Sequence, residues 1–152
     1  MTDAVCFEDF PVGRVVLTSA VTVTETHLVQ WANLTGDWYP LHIDEEWART
    51  AGPFGTRVAH GPFIFALAVG LVERANVFGD SIFAWAGADE LRAMKPTFVG
   101  DTVRTRAEVV EARLSKSDPA RGILTFRYDV LNQRDETVLS CRYVLMMRSK
   151  RP

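Results

Sequence analysis

One stretch of the sequence, PFIFALAVGLVERANV at Pro62–Val77, is apolar almost all the way round a helical wheel. A helix with no polar face must be enclosed by other parts of the protein. The run is well short of the roughly 20 apolar residues that a membrane-spanning helix needs. We therefore expect a buried helix and no membrane partner.

Four strand candidates follow this helix, and the clearest of them alternates apolar and polar residues along its whole length. They are Ser81–Leu91, Thr102–Leu114, Gly122–Leu131 and Thr137–Arg148. The last two links, SKSDPARG and NQRDE, are short and polar. Parallel neighbours would need longer crossovers, so an antiparallel sheet is predicted. A single buried helix with one antiparallel sheet predicts an α+β fold in which the sheet wraps the helix.

The part of the chain before this helix is predicted to form one strand and two short helices. The pattern of Val15–Thr24 is typical of a strand. Thr24 is placed to cap a helix over Glu25–Asn33, and TGDWYP ends that helix. A brief helix is predicted from Asp44 to Arg49.

Length and composition narrow the class of protein. The 152 residues suit one domain over 1–152. A net charge of -2 without a basic run argues against a nucleic-acid partner. Cys6 and Cys141 lie far apart and have no metal-ligand spacing, so we expect packing in a reducing cytoplasm and neither a metal site nor a disulfide framework. No export signal opens the chain, which also predicts a cytoplasmic protein.

Residues 35–42 read TGDWYPLH and place Asp37 five residues before His42. Gly36 and Pro40 give a loop its shape, but the shape requires neither the carboxylate nor the imidazole. A carboxylate and an imidazole folded towards one water molecule could carry out acid–base catalysis. A turn with a surface histidine would have the same sequence, so the residues alone leave both interpretations open.

Three blocks of the sequence, in the same order, resemble the MaoC-like, (R)-specific enoyl-CoA hydratase family. The first is WANLTGDWYPLHIDEEWA, which is similar to the hydratase motif of that family. The others are FGTRVAHG, directly before the buried helix, and PTFVGDTV. The residues that match the first motif are Trp31, Thr35, Gly36, Asp37, Pro40, Leu41, His42 and Ala48. The resemblance covers nearly the whole chain and implies a hotdog fold.

The resemblance also implies an activity and its residues. It implies a lyase that adds water to a trans-2-enoyl-CoA thioester, or runs the reverse reaction, with Asp37 as general base. His42 would orient the water or protonate the product, and Gly61 at the helix start would bind the thioester oxygen. No cofactor or metal is implied, because CoA arrives with the substrate. Proteins of the family that this chain resembles form dimers whose sheets join edge to edge. The resemblance therefore implies a homodimer or a higher homo-oligomer.

One position departs from the family motif, because Tyr39 stands where relatives have Asn. We therefore assign Tyr39 a substrate-binding role that affects substrate choice. Two other functions stay open: a hotdog thioesterase with Glu73 as its acid, or a non-catalytic subunit of a two-protein dehydratase. For His60 a structural role is expected, and His27 is predicted to be solvated.

Overall fold

The structure is a computed structural model that describes residues 5–150. Four helices and six strands follow a short 3-10 turn at Phe7–Asp9. The helices are α1 Glu25–Thr35, α2 Pro40–Ile43, α3 Glu45–Thr50 and α4 Gly61–Arg74. The strands are β1 Val15–Leu17, β2 Val21–Thr22, β3 Ile82–Ala93, β4 Thr102–Leu114, β5 Arg121–Leu131 and β6 Thr137–Arg148.

The strands form one six-stranded sheet in the order β1-β4-β5-β6-β3, with β2 also paired to β4. Every pairing between named strands is antiparallel. The prediction of an antiparallel sheet in an α+β protein is therefore confirmed. Strands β4 and β6 have the predicted bounds. The hotdog fold, in which an antiparallel sheet packs against one long helix, is confirmed as well.

Helix α4 packs one side against the sheet. Its residues Phe63, Ile64 and Ala68 join one apolar cluster, and Val72 joins a second cluster with β4, β5 and β6. The opposite side of α4, which carries Ala66, Gly70 and Glu73, is exposed. Enclosure of the helix is thus one-sided in this chain. Among residues 5–150, no helix is long and apolar enough to cross a membrane.

The strand predicted over Val15–Thr24 is divided into β1 and β2, which both pair with β4. Val21 lies four residues after Leu17, whereas their partners on β4, Val103 and Arg106, are only three residues apart. One extra residue therefore bulges out between the two short strands. Such a bulge bends the strand, which is why a single continuous element does not form.

His27 takes part in the N-terminal cap of α1. The Thr24 amide donates a hydrogen bond of 3.0 Å to the His27 Nδ1. The His27 ring also stacks on Phe63 of α4, with 5.6 Å between ring centroids. The His27 side chain is half-buried, so it is solvated only in part, and its ring completes the cap of α1 and packs that helix onto α4.

Candidate active site

The loop that carries Asp37 is defined by a glycine and a proline. Helix α1 ends at Gly36, whose φ of 79° is the left-handed conformation that glycine adopts without steric cost. Pro40 then begins α2, where its fixed φ suits the first turn of a helix. Only Gly36, Asp37, Trp38 and Tyr39 lie between the two helices. This short link brings the carboxylate of Asp37 close to the second helix.

Helix α2, which the sequence pattern did not predict, carries His42. The ring of His42 is tied to the segment before α4, because its Nδ1 lies 2.8 Å from the Val58 carbonyl oxygen. A carbonyl only accepts hydrogen bonds, so Nδ1 carries the proton. In the neutral imidazole, the remaining nitrogen, Nε2, then has a lone pair available for a bound water. The Val58 amide donates in turn to the Leu41 carbonyl at 3.2 Å, which joins the same two segments.

The structure brings Asp37 and His42 together, and it adds His60 to them. One carboxylate oxygen of Asp37 and one nitrogen of each imidazole lie within 4.8 Å of one another. The Asp37 side chain is 46% exposed, whereas His60 is fully buried. The burial and the hydrogen bond of His60 agree with the structural role expected for it, but its place beside Asp37 and His42 was not predicted. The available signal was its position directly before Gly61 in the FGTRVAHG block.

The hydrogen bonding of this cluster does not fit a metal ion. The Nε2 of His60 lies 3.0 Å from the backbone carbonyl of Asp37 and therefore donates a proton to it. Metal ligands need a lone pair, so this nitrogen is already committed. The Nδ1 of His60 is buried without a hydrogen-bond partner among the described residues. Burial lowers the pKa of His60, which favours the neutral ring.

An apolar cavity of about 460 Å³ opens beside His42. Its lining consists of His42, Phe54, Val58, Ala59, Gly61, Ile64, Ala93, Met94, Lys95, Pro96, Thr97, Val138 and Leu139. Most of these side chains are hydrophobic, which suits an acyl chain rather than a charged ligand. His42 and Gly61 place polar groups of two different elements on the same cavity.

Gly61 is the first residue of α4, and His60 is its N-cap. The first amides of a helix have no intrahelical acceptor, and the next residue, Pro62, has no amide proton. The Gly61 amide therefore provides a donor at the positive end of the helix dipole. A Cβ added at Gly61 would meet no atom within 4 Å, so space is open beside this amide.

Tyr39 lies outside the lining of the cavity. Its ring meets His42 edge-on, with 6.4 Å between centroids, and contacts Trp47 at 6.0 Å in the same way. The Tyr39 side chain lies against one side of the His42 ring and is itself 57% exposed. A role of Tyr39 in substrate binding stays a prediction.

Glu73 lies far from the Asp37 and His42 pair. It follows Gly61 by twelve residues of α4, which separates the two by about 18 Å along the helix axis. Desolvation raises the pKa of its carboxyl group. The negative charge of Glu73 helps to raise the pKa of Tyr128 and of Tyr143. Glu73 does not line the cavity.

Comparison with known proteins places these features in a family. Residues 9–125 match the MaoC like domain family. Protein MaoC from Klebsiella aerogenes is 37% identical over 100 residues, which cover 66% of this chain and 29% of that protein. The match therefore spans less than a third of the length of that relative.

Two further relatives cover more of their own length. The 3-hydroxybutyryl-CoA dehydratase from Methylorubrum extorquens is 32% identical over 105 residues, which cover 69% of this chain and 64% of the relative. The crystal structure of a protein from Archaeoglobus fulgidus described as a monoamine oxidase regulatory protein superposes with a TM-score of 0.90. That structure is 34% identical in sequence, and the superposition covers 97% of this chain and 96% of that one.

Proposed function

Because the chain belongs to the MaoC-like domain family, we propose that it is a lyase that hydrates a trans-2-enoyl-CoA thioester to the (R)-3-hydroxyacyl-CoA, or catalyses the reverse dehydration. The observation that carries this proposal is the Asp37 carboxylate beside the His42 imidazole at an apolar cavity. The name of the Methylorubrum relative, a 3-hydroxybutyryl-CoA dehydratase, supports the same substrate class.

Asp37 and His42 divide the work on the attacking water. The neutral His42, with its Nδ1 proton directed at Val58, accepts one hydrogen bond from the water at Nε2. The Asp37 carboxylate accepts the other and takes that proton as the water oxygen bonds to the β carbon. The same proton then passes to the α carbon, so the overall reaction adds one water and leaves both side chains unchanged.

Charge on the thioester oxygen is stabilised by the amide of Gly61. As the β carbon is attacked, electron density moves through the α carbon to the carbonyl oxygen. A helix N-terminal amide aimed at that oxygen stabilises the enolate-like transition state. Removal of one such donor in other enzymes lowers the rate about 10²- to 10³-fold.

A homodimer is proposed from the exposed edge of the sheet. Within residues 5–150, strand β3 is an edge strand that pairs with β6 alone, and Phe83, Trp85 and Leu91 on it are at least 40% exposed. Unpaired strand edges with apolar side chains favour association with another strand. The end of β3 at Ala93, together with Met94, also lines the cavity, so a partner at this edge would lie close to the acyl site.

Two other functions predict different products and residues. A thioesterase would release free CoA thiol and use Glu73, which lies about 18 Å along α4 from Gly61. A non-catalytic subunit would turn over no substrate by itself and has no need of the Asp37 and His42 pair. A cytoplasmic location and a single domain over 1–152 remain part of the proposal.

A two-channel assay tests the proposed function. Purified protein is mixed with a short trans-2-enoyl-CoA while one channel follows loss of the conjugated double bond and the other follows free thiol. We expect loss of conjugation without thiol release. Thiol release would support the thioesterase, and no signal with a series of chain lengths would support the non-catalytic subunit.

A further inference from the structure

His60 is the buried link between the two catalytic residues. Its side chain is fully buried and it forms the N-cap of α4. The N-cap position does not account for the imidazole, because the side chain of His60 accepts no hydrogen bond from the first amides of its own helix. Its contacts are instead made with Asp37 and His42.

The first contact holds the Asp37 loop. The His60 Nε2 donates a 3.0 Å hydrogen bond to the Asp37 carbonyl oxygen. The hydrogen bonds that Asp37 makes locally are longer, at 3.3 Å from its amide to Thr35 and 3.4 Å from the Tyr39 amide to its carboxylate. The buried imidazole thus supplies the shortest of these contacts to a loop whose catalytic side chain is 46% exposed.

The second contact holds the His42 ring. The rings of His42 and His60 stack with 3.9 Å between centroids and an interplanar angle of 28°. His42 is therefore fixed in its plane by the His60 ring and along one edge by the Val58 carbonyl. One buried side chain thus contacts both members of the pair.

We propose that His60 is a positioning residue for the hydration reaction, which acts through one Nε2 hydrogen bond to the Asp37 backbone and one ring stack on His42. This inference rests on the proposed function. It assigns no proton transfer to His60, because its Nε2 proton is donated to the carbonyl and its Nδ1 is buried. The ring has to stay neutral, since a second proton at Nδ1 would be buried without an acceptor.

A matched pair of substitutions separates positioning from packing. In His60→Gln the amide nitrogen reaches the position of the imidazole Nε2, so the donor to Asp37 is kept. In His60→Asn the shorter amide reaches only the position of Nδ1, and that donor is lost. We expect His60→Asn to lower kcat about 10- to 100-fold, because small misplacements of catalytic groups have costs of this size. KM and the melting temperature should change little between the two variants. His60→Gln loses the ring stack but keeps the donor to Asp37, so it should retain more activity than His60→Asn.

A measurement without substrate accompanies the kinetics. Nitrogen NMR of the imidazole side chains, together with the backbone amide signals of residues 36–39, reports the loop and the ring of His42 directly. We expect both variants to shift the signals of the His42 ring, because neither keeps the imidazole stack. The amide signals of residues 36–39 should stay close to those of the original protein in His60→Gln, which keeps the donor to the Asp37 carbonyl, and should shift in His60→Asn.

The outcomes distinguish this inference from the proposed function. Equal activity and equal spectra for the two variants would overturn the positioning role, as would a loss of activity that follows the melting temperature. If the original protein hydrates no enoyl-CoA, the proposed function fails. The NMR comparison still decides whether His60 orders the Asp37 loop and the His42 ring.

Discussion

The imidazole rings of His42 and His60 lie face to face, with 3.9 Å between their centroids. Only His42 lines the apolar cavity, whereas His60 is fully buried behind it. Two protonated rings at this distance would repel each other, and the inner ring has no water to solvate its charge. The geometry is therefore suited to a neutral inner ring.

Stability should fall at mildly acid pH because of His60. Desolvation is the main cause that lowers the pKa of His60, and the two titratable groups that face it are His42 and Asp37. As the pH falls below about 6.5, the unfolded chain takes up a proton that the folded chain resists, so the free energy of unfolding decreases. The measurement is thermal unfolding of the original protein and of His60→Gln at pH values from 7.5 to 5.5, which span the ordinary His pKa of about 6.5. The substituted protein should lose less stability, and parallel curves would contradict the prediction.

Asp37→Asn should remove hydration without unfolding the protein. The amide has the shape of the carboxylate but accepts no proton, so kcat should fall about 10²- to 10⁴-fold. Asp44→Asn is the matched control, because Asp44 caps α3 through the Trp47 amide and asparagine caps a helix equally well. The two-channel assay should show full activity for the control. Substantial activity in Asp37→Asn would remove Asp37 from the mechanism.

Gly61→Ala and Gly70→Ala compare one change at two positions of α4. A Cβ at either position meets no atom within 4 Å, and alanine favours a helix, so neither change should destabilise the fold. Only Gly61 lines the cavity, where the added methyl would crowd the thioester oxygen. We expect a fall in kcat/KM for Gly61→Ala alone. Equal activities of the two variants would contradict the role given to the Gly61 amide.

Tyr39→Asn should change which acyl chain is preferred. The substitution removes the ring that meets His42 edge-on and restores the residue usual in the family motif. Tyr39→Phe keeps the ring and removes only the hydroxyl, which makes it the control. The ratio of kcat/KM across a panel of enoyl-CoA chain lengths is the measurement. An unchanged ranking in both variants would show that Tyr39 only packs against His42 and Trp47.

Glu73→Gln should leave hydration intact and stabilise the protein at neutral pH. Desolvation raises the pKa of Glu73, so its charged form is disfavoured in the folded state. Stability is lost as the pH rises through that raised pKa, and a neutral amide avoids the loss. The melting temperatures of the variant and the original protein are compared at pH 7 and at pH 4, which lie on either side of the ordinary Glu pKa of about 4.3. The two proteins should differ only at the higher pH. Loss of thiol release in this variant would favour the thioesterase.

The sheet was predictable because its signals are local. Alternation of apolar and polar residues over β4 and β6 gives their bounds directly, and the polar links between strands require antiparallel neighbours. Helix α2 was missed because Pro40–Ile43 is too short for a helical period to appear. The bulge between β1 and β2 was missed for a related reason, since it depends on the register with β4.

The proximity of Asp37 and His42 was predictable, but the geometry of the candidate site was not. The motif brings Asp37 and His42 close in sequence, so their proximity follows from a short loop. His60 lies 23 residues beyond Asp37, and their contact depends on the path of the chain between α3 and α4. No periodicity or spacing in the sequence encodes that path, and only the resemblance to a family marked the block that holds it.

The two histidine tautomers are set by the backbone carbonyls of Val58 and Asp37. Amino-acid replacement changes side chains and leaves these oxygens in the chain. Residues that shape the cavity, such as Phe54, Ile64 and Met94, can therefore vary over evolution while the direction of both imidazole protons is inherited. Single substitutions in the lining can therefore change the shape of the cavity without changing which nitrogen of each imidazole carries the proton.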